Sequence, residues 1–259
     1  MGADQTGPWQ ALAEELALWG QQGRCATLWW RDDDAERQSP QLARLDQLSR
    51  DYQVPLALAV IPQGADSSLC PLLAANPLLI AYQHGVAHRN HAPQGARKCE
   101  LGDDRPLAAM VAELIAGRER LAGLLGDRFE AVLVPPWNRL SESLLLQLDS
   151  AGFTGLSTLA PRRRRFIRQL NVHVDLIDWR RGRCFAGDDE VLGQLIAHLR
   201  ARRSGAVDGG EATGIMSHHL AHDEGCWLFL RQLFDFIAAQ PHARWIDSRT
   251  EFRGDQSCR

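Results

Sequence analysis

The sequence predicts a single-domain α/β fold on a parallel sheet, closed as a barrel in preference to a doubly wound open sheet. Three observations predict it. Strand-like and helix-like segments alternate along the chain, the rhythm of repeated βαβ units. The length, 259 residues, suits one large α/β domain better than two small ones. Several apolar runs also end in chemistry-bearing residues: "WWRDDD", "IAYQH", "LVPPWNR", "LIDW" and "IMSHH". In a parallel barrel those carboxyl ends converge on one face, where sites are built.

The elements run in this order. Trp9 to Gln21 is a first helix, and residues 1–24 are expected to pack on a barrel spanning 25–250. "ATLWW" is a short buried strand that stops at a cluster of acids. "SPQLARLDQLSRDY" has helical periodicity, with Ser39 as N-cap and Pro40 in the first turn. "VPLALAVIP" is a second strand, residues 66–75 a short helix and "LLIAYQH" a third strand. The polar stretch "APQGARKCELGDD" is long enough for a lid or binding loop. "RPLAAMVAELIAGRERLAGLLG" is the longest helical pattern, followed by the strand "FEAVLVPP" and the helix "SESLLLQLDSAG". "FTGLSTL" and "VHVDLIDW" are further strands. A helix over 188–203, the strand "ATGIMSHH", a helix over 225–239 and the strand "ARWIDS" complete the pattern. Residues 251–259 are a tail expected to fray.

Composition excludes several classes. The formal net charge is −3, so no global basic field recruits nucleic acid. The N-terminal stretch is amphipathic and acidic, with neither the basic region nor the continuous apolar region of a secretory signal. No apolar run approaches bilayer-spanning length. The six cysteines form no C-x-x-C pair, which points to reduced thiols and a cytoplasmic location.

The acids of "RDDD" (Arg31, Asp32, Asp33, Asp34) come directly after an apolar strand. Three adjacent carboxylates repel one another unless a cation relieves them, and a metal ion is the strongest relief; an acidic N-cap cluster is the plain alternative. His84 and His88 are spaced H-x-x-x-H at a strand end, with Gly85 permitting a tight turn. Two imidazoles and one carboxylate are three ligands of a catalytic metal site with a position left open. His91 reads most simply as a surface histidine, with a fourth ligand or a group supporting the ligands as the alternatives. A second cluster, "IMSHHLAHD", holds His218, His219, His222 and Asp223, so six of the nine histidines lie in two short strand-end clusters. Hydrolysis at a metal site needs a base for water and an acid for the leaving group, and an Asp beside the metal and a His across the pocket fit those roles. His219 and His222 are equally well read as core or cap residues.

Taken together, "RDDD", "HGVAH", "VPPWN", "DLIDW" and "IMSHH" resemble the five ordered motifs of the polysaccharide deacetylase family of carbohydrate esterases, from about residue 26 to 223. The resemblance implies a distorted (β/α)7-type barrel and metal-dependent removal of an acetyl group from an N-acetylated carbohydrate or sugar conjugate. It makes Asp33 the base, Asp34, His84 and His88 the ligands of one divalent ion, most simply zinc, and His218 the general acid. A one-residue slip gives Asp32 as base and Asp33 as ligand instead. Trp137 becomes a groove wall whose backbone N–H faces the oxyanion, and Asn138, Asp178, Trp179 and Arg31 become substrate contacts. The Asp-x-x-Asp-Trp motif is matched in full by Asp175, Asp178 and Trp179.

The sequence departs from the family at defined places. Gly85 stands where the family has Ser or Thr. The arginine that holds the catalytic aspartate is Val134 here, and Arg31, Arg139 and Arg180 are the candidates to replace it. The Thr-Phe and Gly flanking the family's paired aspartates are absent. These changes set the chain apart from members acting on the usual polymers, and the expected cytoplasmic location points to a soluble or lipid-linked saccharide, or another small acylated compound. The rival readings are an amidohydrolase acting on a non-sugar amide and an inactive saccharide-binding module. The basic run "PRRRRFIR" is a solvated loop or a contact for an anionic substrate. Lys98 and Glu100, in the loop after the histidines, are further candidates for substrate contact.

Overall fold

The computed structural model describes residues 7–163 and 167–253. The middle of the basic run and the end of the C-terminal tail lie outside the described residues.

The chain runs α1 (Pro8–Gln21), β1 (Ala26–Ala35), α2 (Pro40–Tyr52), β2 (Leu56–Val60), α3 (Leu69–Ala75), β3 (Leu79–His84), α4 (Leu107–Leu125), β4 (Phe129–Val134), α5 (Glu142–Leu145), β5 (Gly155–Leu156), β6 (Arg168–Gln169), β7 (Val174–Asp175), β8 (Ile177–Asp178), β9 (Cys184–Phe185), α6 (Asp188–Ser204), β10 (Thr213–Ser217), α7 (Glu224–Ala238), β11 (Ala243–Trp245) and α8 (Ser248–Arg253). Eight strands lie side by side in the order β6-β5-β4-β3-β2-β1-β10-β7, and β11 pairs with the start of β1. Every pairing in this sheet is parallel. The sheet curls into a distorted barrel of the (β/α)7 kind, and a parallel bridge between Leu159 and Val172 ties the segment after β5 to the link between β6 and β7.

Parallel strands crossed over by helices are covered on both faces, which is why β2, β3 and β10 are buried at every position. Alternation along β1 assigns its side chains to two layers. Leu28 and Trp30 join the apolar layer between sheet and helices, with Leu45, Leu195 and Phe234. Trp29 faces inward with Tyr82, Val134, Met216 and Phe252. The helix starts obey local chemistry: the Ser39 hydroxyl accepts from Leu42 N–H at 3.0 Å, and the Asp223 carboxylate caps α7 from Cys226 N–H at 3.0 Å. α1 lies on α6, tied by Trp9 Nε1 donating to Asp188 (3.0 Å) and Arg203 Nε donating to Glu15 (2.7 Å).

Several elements differ from the sequence expectation: β1 continues through the acids to Ala35, and β6 and β9 are short strands the patterning did not show. The run 172–179 is two strands, because the Asp175 carboxylate accepts the N–H of Ile177 (3.0 Å) and turns the chain between them. β8 then pairs antiparallel with β9 as a separate hairpin. The helix after Ser141 is regular only over four residues. The expected tail begins inside α8, where Phe252 packs edge-on against Tyr82 in the barrel interior.

Candidate active site

The carboxyl ends of β1, β3, β4, β7 and β10 open into one cavity of about 780 Å³. The first strand supplies its acids. Residues 31 and 33 point inward and residue 32 outward, as alternation requires. Asp34 then takes a left-handed conformation, φ +70°, one that Asp tolerates better than most residues. The register with β2 shifts between Asp32 and Ala35. This bulge breaks the alternation and brings Asp34 to the cavity beside Asp33.

The third strand supplies the imidazoles. His84 ends β3, and its Nδ1 donates to the Val134 carbonyl at 2.9 Å. That fixes the tautomer and leaves the Nε2 lone pair facing the cavity. His84 Nε2 lies 3.1 Å and His88 Nε2 3.3 Å from the same Asp34 oxygen. The turn between the histidines is built from below. Glu100 is buried, and its carboxylate accepts the N–H groups of Val86 (3.0 Å), Ala87 (2.8 Å) and Arg89 (3.1 Å). Glu100 is therefore a clamp on the turn, not the substrate contact its position suggested. It sits so close that a side chain at Gly85 has no room: a Cβ there would overlap Glu100 Oε2 and lie 2.5 Å from Pro136. Gly85 also has φ +55°. Both facts explain a glycine at this position.

Asp34, His84 and His88 bring three ligand atoms within 4.8 Å of one another. A carboxylate and two imidazoles, one with its tautomer set by a carbonyl, fit a divalent ion such as zinc with room for a further ligand. Burial raises the Asp34 pKa, but the His84 hydrogen bond and the charges of His84, His218 and His88 outweigh it and hold the carboxyl below its ordinary range. For His84, burial pushes down while the Asp34 hydrogen bond and the two aspartate charges push up more, so its pKa is raised. Burial and the His84 charge keep His88 low. The site thus holds negative charge at Asp34 and attracts a cation.

Asp33 is buried, and Arg31 grips it with two hydrogen bonds, Nε to Oδ1 at 2.8 Å and Nη2 to Oδ2 at 2.9 Å. The same guanidinium donates to Ser157 (2.7 Å) and Asn138 (2.9 Å). His218 Nε2 stands 4.0 Å from Asp33 Oδ2 on the far side. Trp179 meets the His218 ring edge-on at 4.7 Å, and its Nε1 donates to Asp175 at 2.8 Å. Burial raises the pKa of Asp175. Trp137 packs against His88, ring centroids 4.4 Å apart. Trp137 and Asn138 both have positive φ, +54° and +56°, a strained turn that places two non-glycine residues at the cavity wall.

Of the eleven site residues named from sequence, eight line this cavity: Asp33, Asp34, His84, His88, Trp137, Asn138, Trp179 and His218. Three do not. Arg31 is fully buried beneath the floor, spent on Asp33, and touches no space a substrate enters. Asp32 lies on the outer face of β1, where Ser217 Oγ (2.6 Å), His219 N–H (3.0 Å) and His219 Nδ1 (2.5 Å) surround it. That favours the register in which Asp33 and Asp34 face the chemistry. Asp178 lies off the cavity on the hairpin, accepting the N–H groups of Arg180 and Arg181 (2.9 and 3.0 Å). Asp175, by contrast, belongs to the cavity, and its motif pointed to it although no role was assigned.

A second group of possible ligands, His173, His198 and Glu211, clusters near the amino ends of β10 and β1. Its hydrogen bonding argues against a metal. His173 Nδ1 accepts the N–H of Gly214 at 3.0 Å, so the ring proton sits on Nε2, the atom facing Glu211 at 3.5 Å. A protonated nitrogen has no lone pair to give. The two rings stack at 3.4 Å as a buried neutral pair, with burial lowering both pKa values, His198 to about 2.

No protein-family model matches the sequence, and no curated protein matches it either. Solved structures do. A polysaccharide deacetylase of Mycobacterium smegmatis, described as putative, superposes with a TM-score of 0.60 at 20% identity, covering 89% of this chain and 91% of its own. A family 4 carbohydrate esterase from Streptomyces lividans, in complex with acetate, gives 0.55 at 15% identity over 88% and 96%. A family 4 pseudoenzyme from Bacillus anthracis gives 0.54 at 10% identity over 86% and 65%. Across this divergence in sequence, the chain has the fold of the family 4 carbohydrate esterases and polysaccharide deacetylases.

Proposed function

We propose that this protein is a metal-dependent deacetylase that hydrolyses the acetyl amide of an N-acetylated carbohydrate or sugar conjugate. The observation that carries the reading is a convergence from strands far apart in sequence. Asp34 with His84 and His88 forms a cation site, and Asp33 and His218 stand beside it as a base and an acid. Asp34, His84 and His88 hold the ion, for which zinc is proposed. The ion supplies Lewis-acid polarisation of the acyl carbonyl and eases deprotonation of water.

The chain's own residues do the rest. Asp33, aimed by the two hydrogen bonds from Arg31, takes the proton of the attacking water. The Trp137 N–H, presented by the strained turn, donates to the oxygen on which charge develops. His218 gives its proton to the departing amine nitrogen, and acetate leaves. Trp137 and Trp179 offer aromatic faces for sugar rings. The inactive-module reading draws on the altered first and third motifs; against the second of these, Arg31 supplies an arginine that grips Asp33. A cytoplasmic setting is part of the proposal, in keeping with free thiols at all five described cysteines. No helix among the described residues is long and apolar enough to cross a membrane.

The test is acetate release from a panel of N- and O-acetylated saccharides, with metal content measured in parallel. We expect about one divalent ion per chain, lost in His88→Ala, and acetate release abolished by chelator and restored by zinc. Metal-independent release, or sugar binding with no release from any substrate in the metal-loaded protein, would overturn the reading.

A further inference from the structure

The cavity's charges are matched on one side only. Each of its three carboxylates has a protein partner: Asp33 has Arg31, Asp34 has the two histidines and Asp175 has Trp179. Its three cations, Lys98, Arg139 and Arg183, have no carboxylate partner among the described residues. Arg139 donates to a backbone carbonyl, that of Lys98, at 2.8 Å. Lys98 Nζ stands 5.9 Å from the Trp137 ring centroid, and the Arg183 guanidinium 5.9 Å from that of Trp179. Each aromatic wall flanking the catalytic groups thus carries its own cation.

The loops behind these side chains are biased the same way. Residues 89–98 and 179–183 together hold six Lys or Arg and no Asp or Glu, in a chain whose acids outnumber its bases by 32 to 29. Asp178, the acid next to the second loop, is occupied by the N–H groups of Arg180 and Arg181. Surface cations are common and most are simply solvated. Here they are gathered at the mouth of one cavity, on both sides of it, in a molecule of opposite net sign. That arrangement raises the local concentration of anions and positions them.

From this we infer that the substrate is an anionic acylated saccharide, one that carries a phosphoryl or carboxyl group within reach of Lys98 and Arg139 on one side or Arg183 on the other. The inference rests on the deacetylase reading for its chemistry but not for its binding. Guanidinium forks suit the two oxygens of either anion. The uncharged polymers of N-acetylglucosamine or xylose leave all three cations unused.

The experiment has two arms. In the first, kcat/KM for acetate release is compared among N-acetylglucosamine 1-phosphate, N-acetylmuramic acid and neutral N-acetylglucosamine and its oligomers, at low and high salt. At least one anionic substrate is expected to exceed the neutral ones by about tenfold or more and to lose that advantage at high salt. The Lys98→Gln/Arg183→Gln protein is expected to shrink the ratio several-fold, mainly through KM. The ranking of phosphate against carboxylate identifies the anion. In the second arm, calorimetry measures binding of glucosamine 6-phosphate and of glucosamine, neither of which carries an acyl group. Tighter, salt-sensitive binding of the phosphate supports the inference even if no acetate is ever released, an outcome that would sink the deacetylase reading alone. Equal binding of glucosamine 6-phosphate and glucosamine, together with equal kcat/KM for anionic and neutral substrates and no salt effect in either arm, overturns it.

Discussion

Arg31 and Asp33, two residues apart on one strand, form a buried two-pronged ion pair, 2.8 and 2.9 Å. Both point into the barrel because a strand repeats every second residue. The family's pattern draws this arginine from the neighbourhood of β4, where Val134 stands in the inner apolar cluster. Here the arginine that grips Asp33, the proposed base, comes from the same strand as Asp33. Val134 and Arg31 both face the barrel interior, so the two arrangements are expected to be exchangeable.

That exchange is testable. Arg31→Met should lower kcat by about 10²-fold through loss of aim at Asp33 and destabilise the fold by about 3–5 kcal/mol, because an unpaired carboxylate stays buried. Arg31→Thr/Val134→Arg should recover at least tenfold of the kcat that Arg31→Thr alone loses. Steady-state kinetics and urea unfolding measure the two effects separately. A double variant no better than the single one would show that the position of the arginine is not interchangeable.

The turn bearing the ligands makes a second prediction. Gly85→Ser restores the residue type of the family motif, yet its Cβ meets Glu100 and Pro136. It should cost about 2–4 kcal/mol and weaken metal binding as His88 shifts. Glu100→Ala frees three backbone N–H groups and should cost about as much. Combined, the two should be less than additive, because Glu100→Ala removes one of the two clashes. Urea midpoints of the four proteins give the cycle, and full additivity would mean that the contact does not limit the site.

Much of this was legible in the sequence. The order of elements, the convergence of strand ends and the ligand spacing all arise from local patterns: apolar runs, caps and a glycine between two histidines. The register of the acids was not legible, because the strand runs on through them to Ala35 and only then does alternation separate Asp32 from Arg31 and Asp33. It failed at Asp34, because a left-handed residue in a bulge turns its own side chain to the face alternation denies it, and nothing in "DDDA" encodes that. Asp178 and Glu100 misled for a related reason. Both carboxylates satisfy backbone N–H groups of turns, Asp178 those of its own local turn and Glu100 those of the turn at 86–89, which only the fold brings to it. The long apparent strand at 172–179 hid an Asp side chain bonding its own backbone two residues on, a local competition that hydrophobic patterning does not register.

Metal affinity should depend on pH through His84. Its pKa lies above 6.5 because the Asp34 hydrogen bond and the charges of Asp33 and Asp34 outweigh its burial, whereas His88 lies below. As pH falls through the raised value, a proton competes with the ion for His84 Nε2. Zinc affinity is expected to drop by about tenfold per pH unit there, with about one proton released per ion bound near neutrality. Calorimetry in buffers of different ionisation enthalpy counts that proton. Affinity unchanged between about pH 5 and 8 would contradict the assignment of His84 as a ligand.

The pair on the outer face of the same strand carries a stability signature of its own. Burial opposes charge on both partners, yet their mutual attraction and hydrogen bond lower the pKa of Asp32 and raise that of His219. The signs give the window. The Asp32 contribution is present above its unfolded value of 3.8 and lost as pH falls through its depressed folded value. The His219 contribution is complete below 6.5 and lost as pH rises through its raised folded value. The pair therefore stabilises most between those limits. His219→Gln keeps the backbone N–H that Asp32 accepts but removes the charge. The difference in unfolding free energy between wild type and this variant should be largest near about pH 5.5 and shrink by pH 8.5. A difference that grows with alkalinity would mean that His219 is neutral in the fold and that Asp32 is held by Ser217 and backbone alone.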